Sequence, residues 1–550
     1  MVRLGRRLPM GVRFIAELMP HPAYFRSNPA SLGSDRTSVA REPVSWLPAI
    51  IAATVIGLIL IRAVLIARRG DAGRVQMMPD DAFYYFVLAK HFAQTGHWSF
   101  DGVAPSTGFH PLWAYLLAAV FRLAPALDFA RIYAFCVGVG CIAFGAAAWL
   151  MGRLLQQRFG SGALIGVLAM LCGGMVLDLA GMGMETPLAL LAAAAAASIV
   201  VAPGRAGDRA FAFAIGLVGS LARSDFGLVP LCLTAALALH WLVSRKDAGA
   251  LLRAFATLGG AALGVLVIAL HAWWIAGSFL QNSIRMKAYW SSLAGYAPGP
   301  AAQLATDLIG YNACAPIRAA AGPILLLLGT LSVAVLIGTR SKHWPLPLAG
   351  GSAILGYIVL YGADSAALQP WYTASFAVPA MLMLAPACGW LFDATRPLFL
   401  RAPLWLALCL LLVGGFLGGL QPLWPYQTAM RNGGLYLRAH PELAPASAWN
   451  AGLISYFSDR PVINLDGLVN DDVFPYARDG RLDAYMRERG IAWVIDYGAM
   501  LNDENYRQRG GYEDGRLAAC LEPVQTLSDH ADERWLRSKL TLYRRRAACG

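Results

Sequence analysis

MPDDAFYYFVLAKHFAQTGHWSFDGVAPSTGFHPLW, residues 78 to 113, lies between two long apolar runs, yet it is too short and too polar to cross a bilayer. Pro79 followed by Asp80 and Asp81 reads as a helix start, with both carboxylates at the positive end of the macrodipole. Behind them Phe83, Phe86, Lys90 and Tyr84, Leu88, His91 recur at helical spacing, so the helix is expected to rest at the membrane interface. Adjacent carboxylates beside hydrocarbon are costly, and two readings compete: an N-terminal capping pair, or acids kept for chemistry.

Outward from this stretch the chain is dominated by apolar runs. Only 14% of its 550 residues are charged and 57% are hydrophobic. Soluble domains carry about 25% charged residues, so a water-soluble globule and a disordered chain are both excluded. Trp46 to Ala67 is the first insertion signal. Further runs follow near 111–126, 130–152, 161–180, 184–202, 209–222, 226–243, 253–275, 319–338, 345–362, 373–392 and 400–420. The expected fold is a polytopic α-helical membrane protein of about 11 to 13 transmembrane helices.

The net charge of +12 comes from short basic clusters between apolar runs, the positive-inside pattern rather than a nucleic-acid face. Arg153 and Arg158, Arg205 and Arg209, Arg245, Lys246 and Arg253, Arg340 and Lys342, and Arg396 and Arg401 are thereby assigned to the cytoplasm. Residues 1–45 form a basic cytoplasmic tail, 46–424 the membrane module, with outer loops at 68–110 and 276–318, and 425–550 a periplasmic domain. The parity demands that residues 111–152 make one net crossing although they look like two segments. After residue 425, strand-like PVINLD (461–466) and AWVID (492–496) alternate with helical stretches such as Leu482 to Arg489, a soluble α/β pattern. Six of the nine cysteines sit in apolar runs; Cys520 and Cys549 lie in the polar C-terminal region and are candidates for a disulfide if that region is periplasmic.

The acidic pair, the aromatic interfacial helix, WSFDG and GFHPLW resemble polyprenyl-phosphate-sugar glycosyltransferases of the GT-C superfamily, nearest to its bacterial arabinofuranosyltransferase-like and protein mannosyltransferase-like branches. GMET (183–186), LARSDFGL (221–228), QNSIRMK (281–287) and AGLISYFSDRPVINLDGLVN (451–470) extend the resemblance. It implies inverting transfer of a sugar from a polyprenyl-phosphate donor to a hydroxyl of a glycan, glycolipid or protein acceptor on the outer face of the cytoplasmic membrane.

Such a transfer needs a general base and fixed cations for the departing phosphate. The resemblance assigns the base to Asp80, with Asp81 positioning it or exchanging roles with it. Arg285 and Lys287, then His110 and Arg223, are candidates for the donor phosphate, and Glu185, Tyr84, Asn282, Trp371, Tyr372, Asn464 and Asp466 for sugar or acceptor. Most have a structural alternative: headgroup anchoring for Arg285 and Lys287, pairing with Asp225 for Arg223, a satisfied interface histidine for His110, a helix N-cap region for Glu185, a polar turn for Asn464 and Asp466, and an aromatic belt for Trp371 and Tyr372. An Asp-Asp pair suits a hard cation, but no DxD motif stands in the other outer loops and no metal or other cofactor is expected. GxxxxGK[ST], HExxH and GxSxG are absent from the sequence. A transporter or flippase of lipid-linked saccharides is the competing class, although no internal repeat supports it.

Overall fold

The computed structural model describes residues 45–549 apart from 174, 203–206, 295–307, 309–314, 364–368, 394–396 and 533–534. Residues 1–44 of the basic tail, 295–307 and 309–314 of the long loop, Asp364, Arg205 and Arg396 lie outside the described residues. Every apolar run forms helix. Among the described residues eight helices are long and apolar enough to cross a membrane: Leu47–Ala67, Phe129–Phe159, Ser224–Ser244, Ala248–Ala276, Ala319–Thr339, Pro345–Gly362, Pro370–Leu391 and Arg401–Gly418. Four shorter ones join them: Pro111–Leu123, Ala163–Cys172, Thr186–Val200 and Asp208–Ala222. Large apolar side chains stand exposed along the long helices, among them Leu326, Val243 and Ile337. On a soluble protein such a surface would aggregate; here it faces lipid, and the chain is a multi-pass membrane protein.

The double segment at 111–152 resolves in the structure. Pro111–Leu123 starts beside the outer loop and Arg122 near its end donates to the Ala93 carbonyl of that loop at 3.0 Å, so both ends stay on one side. Phe129 returns to the same place, 5.5 Å from the ring of Phe83, and the helix Phe129–Phe159 then makes the single pass. At 161–180 the sequence suggests one segment, and the structure corrects it: helix Ala163–Cys172 stops at Gly173 and a 3-10 turn forms at Asp178–Gly181. The cause is Asp178, buried in an ion pair with Arg62 of the first helix, which also donates to the Gly419 carbonyl at 2.6 Å. A charge at that depth needs a partner, and meeting it bends the chain out of helix.

After the last long helix, Gln427–Ala439 leads into a five-stranded sheet of order β2-β1-β3-β5-β4: β1 (Ala446–Ala448), β2 (Val462–Asn464), β3 (Trp493–Tyr497), β4 (Leu521–Thr526) and β5 (Leu540–Arg545). β1 pairs in parallel with β2 and β3, while β5 is antiparallel to β3 and β4. Two of these strands are the runs at 461–466 and 492–496. Helix Ala451–Ser458 packs on the sheet, Leu482–Glu488 packs against the helices Val473–Arg478 and Arg516–Cys520, and Cys520 and Cys549 form a disulfide.

Candidate functional site

Pro79 and its extended backbone start the helix Asp80–Thr95, the second helix of the outer loop, and this helix carries both acids. Successive residues on a helix point about 100° apart, so the two carboxylates leave it in different directions. Asp80 turns to the C-terminal domain. Its Oδ1 accepts from the backbone N–H of Leu453 at 2.6 Å and its Oδ2 from Gly452 at 3.1 Å, at the start of helix Ala451–Ser458. A carboxylate in trans thus satisfies two of the orphan donors of a helix N-terminus. Gly452 is required for the approach, because a Cβ there would come within 2.4 Å of the Asp80 carbonyl oxygen. Burial pushes the Asp80 carboxyl up to about 8, against the two backbone donors that lower it.

Asp81 turns instead into a cavity, shared with Tyr84, His110, Glu185, Arg223 and Lys287, and walled by Trp371, Tyr372 and the Leu468–Val469 loop. Seven separate stretches of chain therefore meet there. Arg223 is 3% exposed and its fork is largely spent: Nε and Nη2 donate to the two oxygens of Asp225, both at 3.0 Å, and Nη1 donates to Glu185 at 2.9 Å. Asp225 also accepts from Ser375 at 2.9 Å and from Tyr361. Glu185, 1% exposed, has His110 Nε2 at 3.7 Å from the same oxygen, Oε1, that accepts from Arg223. Lys287 donates to the Tyr372 hydroxyl, and Lys287 and Arg223 each lie 5.0 Å from the Tyr372 ring.

These contacts change several expectations. Asp80, expected to be the base, caps a helix, and Asp81 is the acid in the cavity. Arg223 and Glu185, expected on phosphate and sugar, are bonded to each other because neither charge is tolerable alone when buried. His110 is held below its usual 6.5 chiefly by burial, so at neutral pH it serves as a hydrogen-bonding group rather than a fixed cation. Arg285 does not reach the cavity: its guanidinium stacks 4.1 Å from the Phe474 ring of the C-terminal domain. Asn282 is also structural. Its backbone N–H donates to Thr107 Oγ at 2.9 Å, and its side chain donates to the carbonyls of Gly467 and of Asn470, the latter at 3.1 Å.

Asn464 and Asp466 lie behind the cavity. Tyr84 donates to Asp466 at 3.0 Å, Asn464 donates to Tyr84 at 3.3 Å, and burial raises Asp466 to about 7. The sequence reading missed Thr107 and Asp471, which pair twice at 2.7 Å, through the Thr107 backbone N–H and hydroxyl. It also missed Tyr361 and Ser375, whose only signal was polarity within apolar runs. Among the described residues no group of three or more His, Cys, Asp or Glu is arranged to hold a metal ion.

A family described as a domain of unknown function (DUF8728) matches residues 421–543. A comparison with curated proteins returns no match. Solved structures do match across the membrane module and the C-terminal domain. The oligosaccharyltransferase of Archaeoglobus fulgidus, tethered with an acceptor peptide, superposes with a TM-score of 0.52 over 92% of this chain and 75% of its own, at 12% identity. ArnT from Cupriavidus metallidurans, bound to undecaprenyl phosphate, superposes with a TM-score of 0.53 over 91% of this chain and 99% of its own, also at 12% identity. The chain has the GT-C fold. In this example of the GT-C fold the cavity lies between the segment 78–110, the ends of several apolar helices and the C-terminal domain.

Proposed function

We propose that the chain is a membrane glycosyltransferase that moves a sugar, with inversion, from a polyprenyl-phosphate carrier to a hydroxyl of a cell-envelope glycan, glycolipid or protein. The observation that carries the reading is a single cavity lined by a carboxylate, Asp81, and by an ammonium, Lys287, at the outer ends of membrane helices. Asp81 takes the proton of the acceptor hydroxyl as its oxygen bonds to the anomeric carbon. The bond from that carbon to the phosphate oxygen breaks, and the electron pair leaves on the carrier phosphate. Lys287, steered by Tyr372, stabilises that growing charge in a water-poor setting, where a fixed cation is worth most. Arg223, His110 and Tyr84 hold the walls, and Trp371 supplies an apolar face for the sugar. The carrier's phosphate bears a polyprenyl chain, which suits the exposed apolar helices around the site.

The Cys520–Cys549 disulfide supports an oxidising, periplasmic setting for the C-terminal domain of an inner-membrane protein, with the N-terminus in the cytoplasm. Because Lys287 supplies the positive charge, the transfer needs no divalent metal in this reading, and chelation leaves it unchanged. The test is transfer of labelled sugar from polyprenyl phosphates to extracted envelope acceptors in proteoliposomes. Product formation by the wild type, weakened for the donor in Lys287→Gln, supports the reading. Movement of labelled lipid across the bilayer with no glycosylated product contradicts it and points to a flippase.

A further inference from the structure

A second cavity, of about 410 Å³, opens at the other end of the membrane module among Arg158, Arg253, Lys342, His240, His343 and Asp247. That volume is in the range of small-ligand sites. Its position follows from the helix Thr186–Val200: Glu185 at its start lines the outer cavity, Val201 at its end lines this one, and fifteen residues of helix separate them by about 22 Å.

The charge here is not balanced as it is at the outer site. Arg253 is 7% exposed and donates to the carbonyls of Ile199 at 2.9 Å and Ala202 at 2.6 Å, which closes the C-terminal end of that helix. Arg158 donates to the Val201 carbonyl at 3.1 Å, has His343 Nδ1 at 3.5 Å from Nη1, and leaves its buried Nε without a partner. Neither arginine nor Lys342 forms an ion pair with a carboxylate among the described residues, and the one acid in the wall, Asp247, is 3.3 Å from His240. His343 is pushed down to about 4 by burial and by Arg158 and Lys342, so it is a neutral hydrogen-bonding group. Cations that only set topology extend into water; the two arginines are instead held against the protein over an apolar floor of Leu237 and Leu346, with the exposed Lys342 at the rim.

We propose that this cavity binds a phosphoryl group at the membrane face opposite the C-terminal domain, with Arg158 and Lys342 as its charged contacts and His343 as a neutral one. Basic pockets between membrane helices hold lipid phosphates in this way, and the apolar floor of Leu237 and Leu346 gives acyl chains a surface to lie on. A soluble phosphate would use the same charged contacts without the apolar surface.

The test uses the full-length protein, delipidated in neutral detergent and titrated with short-chain phosphatidic acid, phosphatidylcholine or inorganic phosphate, with binding read by native mass spectrometry. Phosphatidic acid is expected to bind the wild type at least about 10-fold more tightly than the Arg158→Gln/Lys342→Gln variant, and phosphatidylcholine not to compete. Lys342 is exposed, so Lys342→Gln alone leaves packing intact and is expected to lose about 3-fold. Inorganic phosphate binding as tightly as phosphatidic acid would make the source soluble; weak binding would make it a lipid headgroup. Equal binding of phosphatidic acid by the wild type and by both variants, or none by the wild type, overturns the proposal.

Discussion

Asp80 and Asp81 are adjacent in sequence and belong to two regions built on different terms. The junction between the segment 78–110 and the C-terminal domain, which holds Asp80, is knit by direct hydrogen bonds: Asp80 with Gly452 and Leu453, Thr107 with Asp471, Asn282 with Asn470. The cavity that holds Asp81 gathers charged groups around open space, and its two cations share one tyrosine ring. A carboxylate that accepts two backbone N–H groups is held for structure, whereas one that lines a cavity together with an ammonium stands where a substrate would bind. One helical step decides which acid has which role.

Four perturbations sharpen or break that contrast. The largest effect is expected from Arg223→Ala, which leaves Glu185 and Asp225 buried without their cation. A loss of about 3–5 kcal/mol is expected in unfolding followed in detergent. A loss within experimental error would mean that water or another cation compensates them. Next is Gly108→Ala, whose new Cβ would lie 1.7 Å from the Leu468 carbonyl oxygen and force the loop and the domain apart. It should cost about 1–3 kcal/mol and raise hydrogen exchange across 465–473, while distant membrane helices stay protected. Thr107→Val removes the hydroxyl that donates to Asp471 and accepts from Asn282. It leaves both short of a partner, for about 1–3 kcal/mol, and the Thr107→Ser variant should restore most of it.

A different kind of test is the pH profile. Asp80, Asp466 and Asp471 are raised chiefly by burial to about 8, about 7 and about 6 from an ordinary 3.8. Between those values the folded protein holds protons that the unfolded chain has released, so stability falls as pH rises from about 4 to about 8. Thermal unfolding should come earlier at pH 8 than at pH 5, and Asp466→Asn should flatten the slope without removing it. A rising profile would show that the junction carboxylates are ionised and favoured as such.

Periodicity and composition reveal the helices because each apolar run is decided locally, by its own length and hydropathy. The strands at 462–464 and 493–497 were legible for the same reason. The break within 161–180 was not, because it is caused by Arg62, 116 residues away. Site residues fared according to the distance of their partners. The pairing of Arg223 with Asp225 was among the readings open to the sequence, since the two are nearly adjacent. Asp80 meets Gly452 across 372 residues and Arg223 meets Glu185 across 38, distances at which spacing carries no information. The family resemblance pointed to the acidic pair and to the loop with Lys287, but the direction in which each side chain leaves its helix belongs to the packed structure.

Sugar transfer by Asp81→Asn and Asp80→Asn in proteoliposomes, at matched folded protein, tests the division of roles most directly. The account predicts that Asp81→Asn lowers the rate by about 10²–10⁴, the range for loss of a general base, while donor binding persists. Asp80→Asn should keep most of the rate and show earlier unfolding of the C-terminal domain. Full activity in Asp81→Asn, with activity lost in a folded Asp80→Asn, would contradict it.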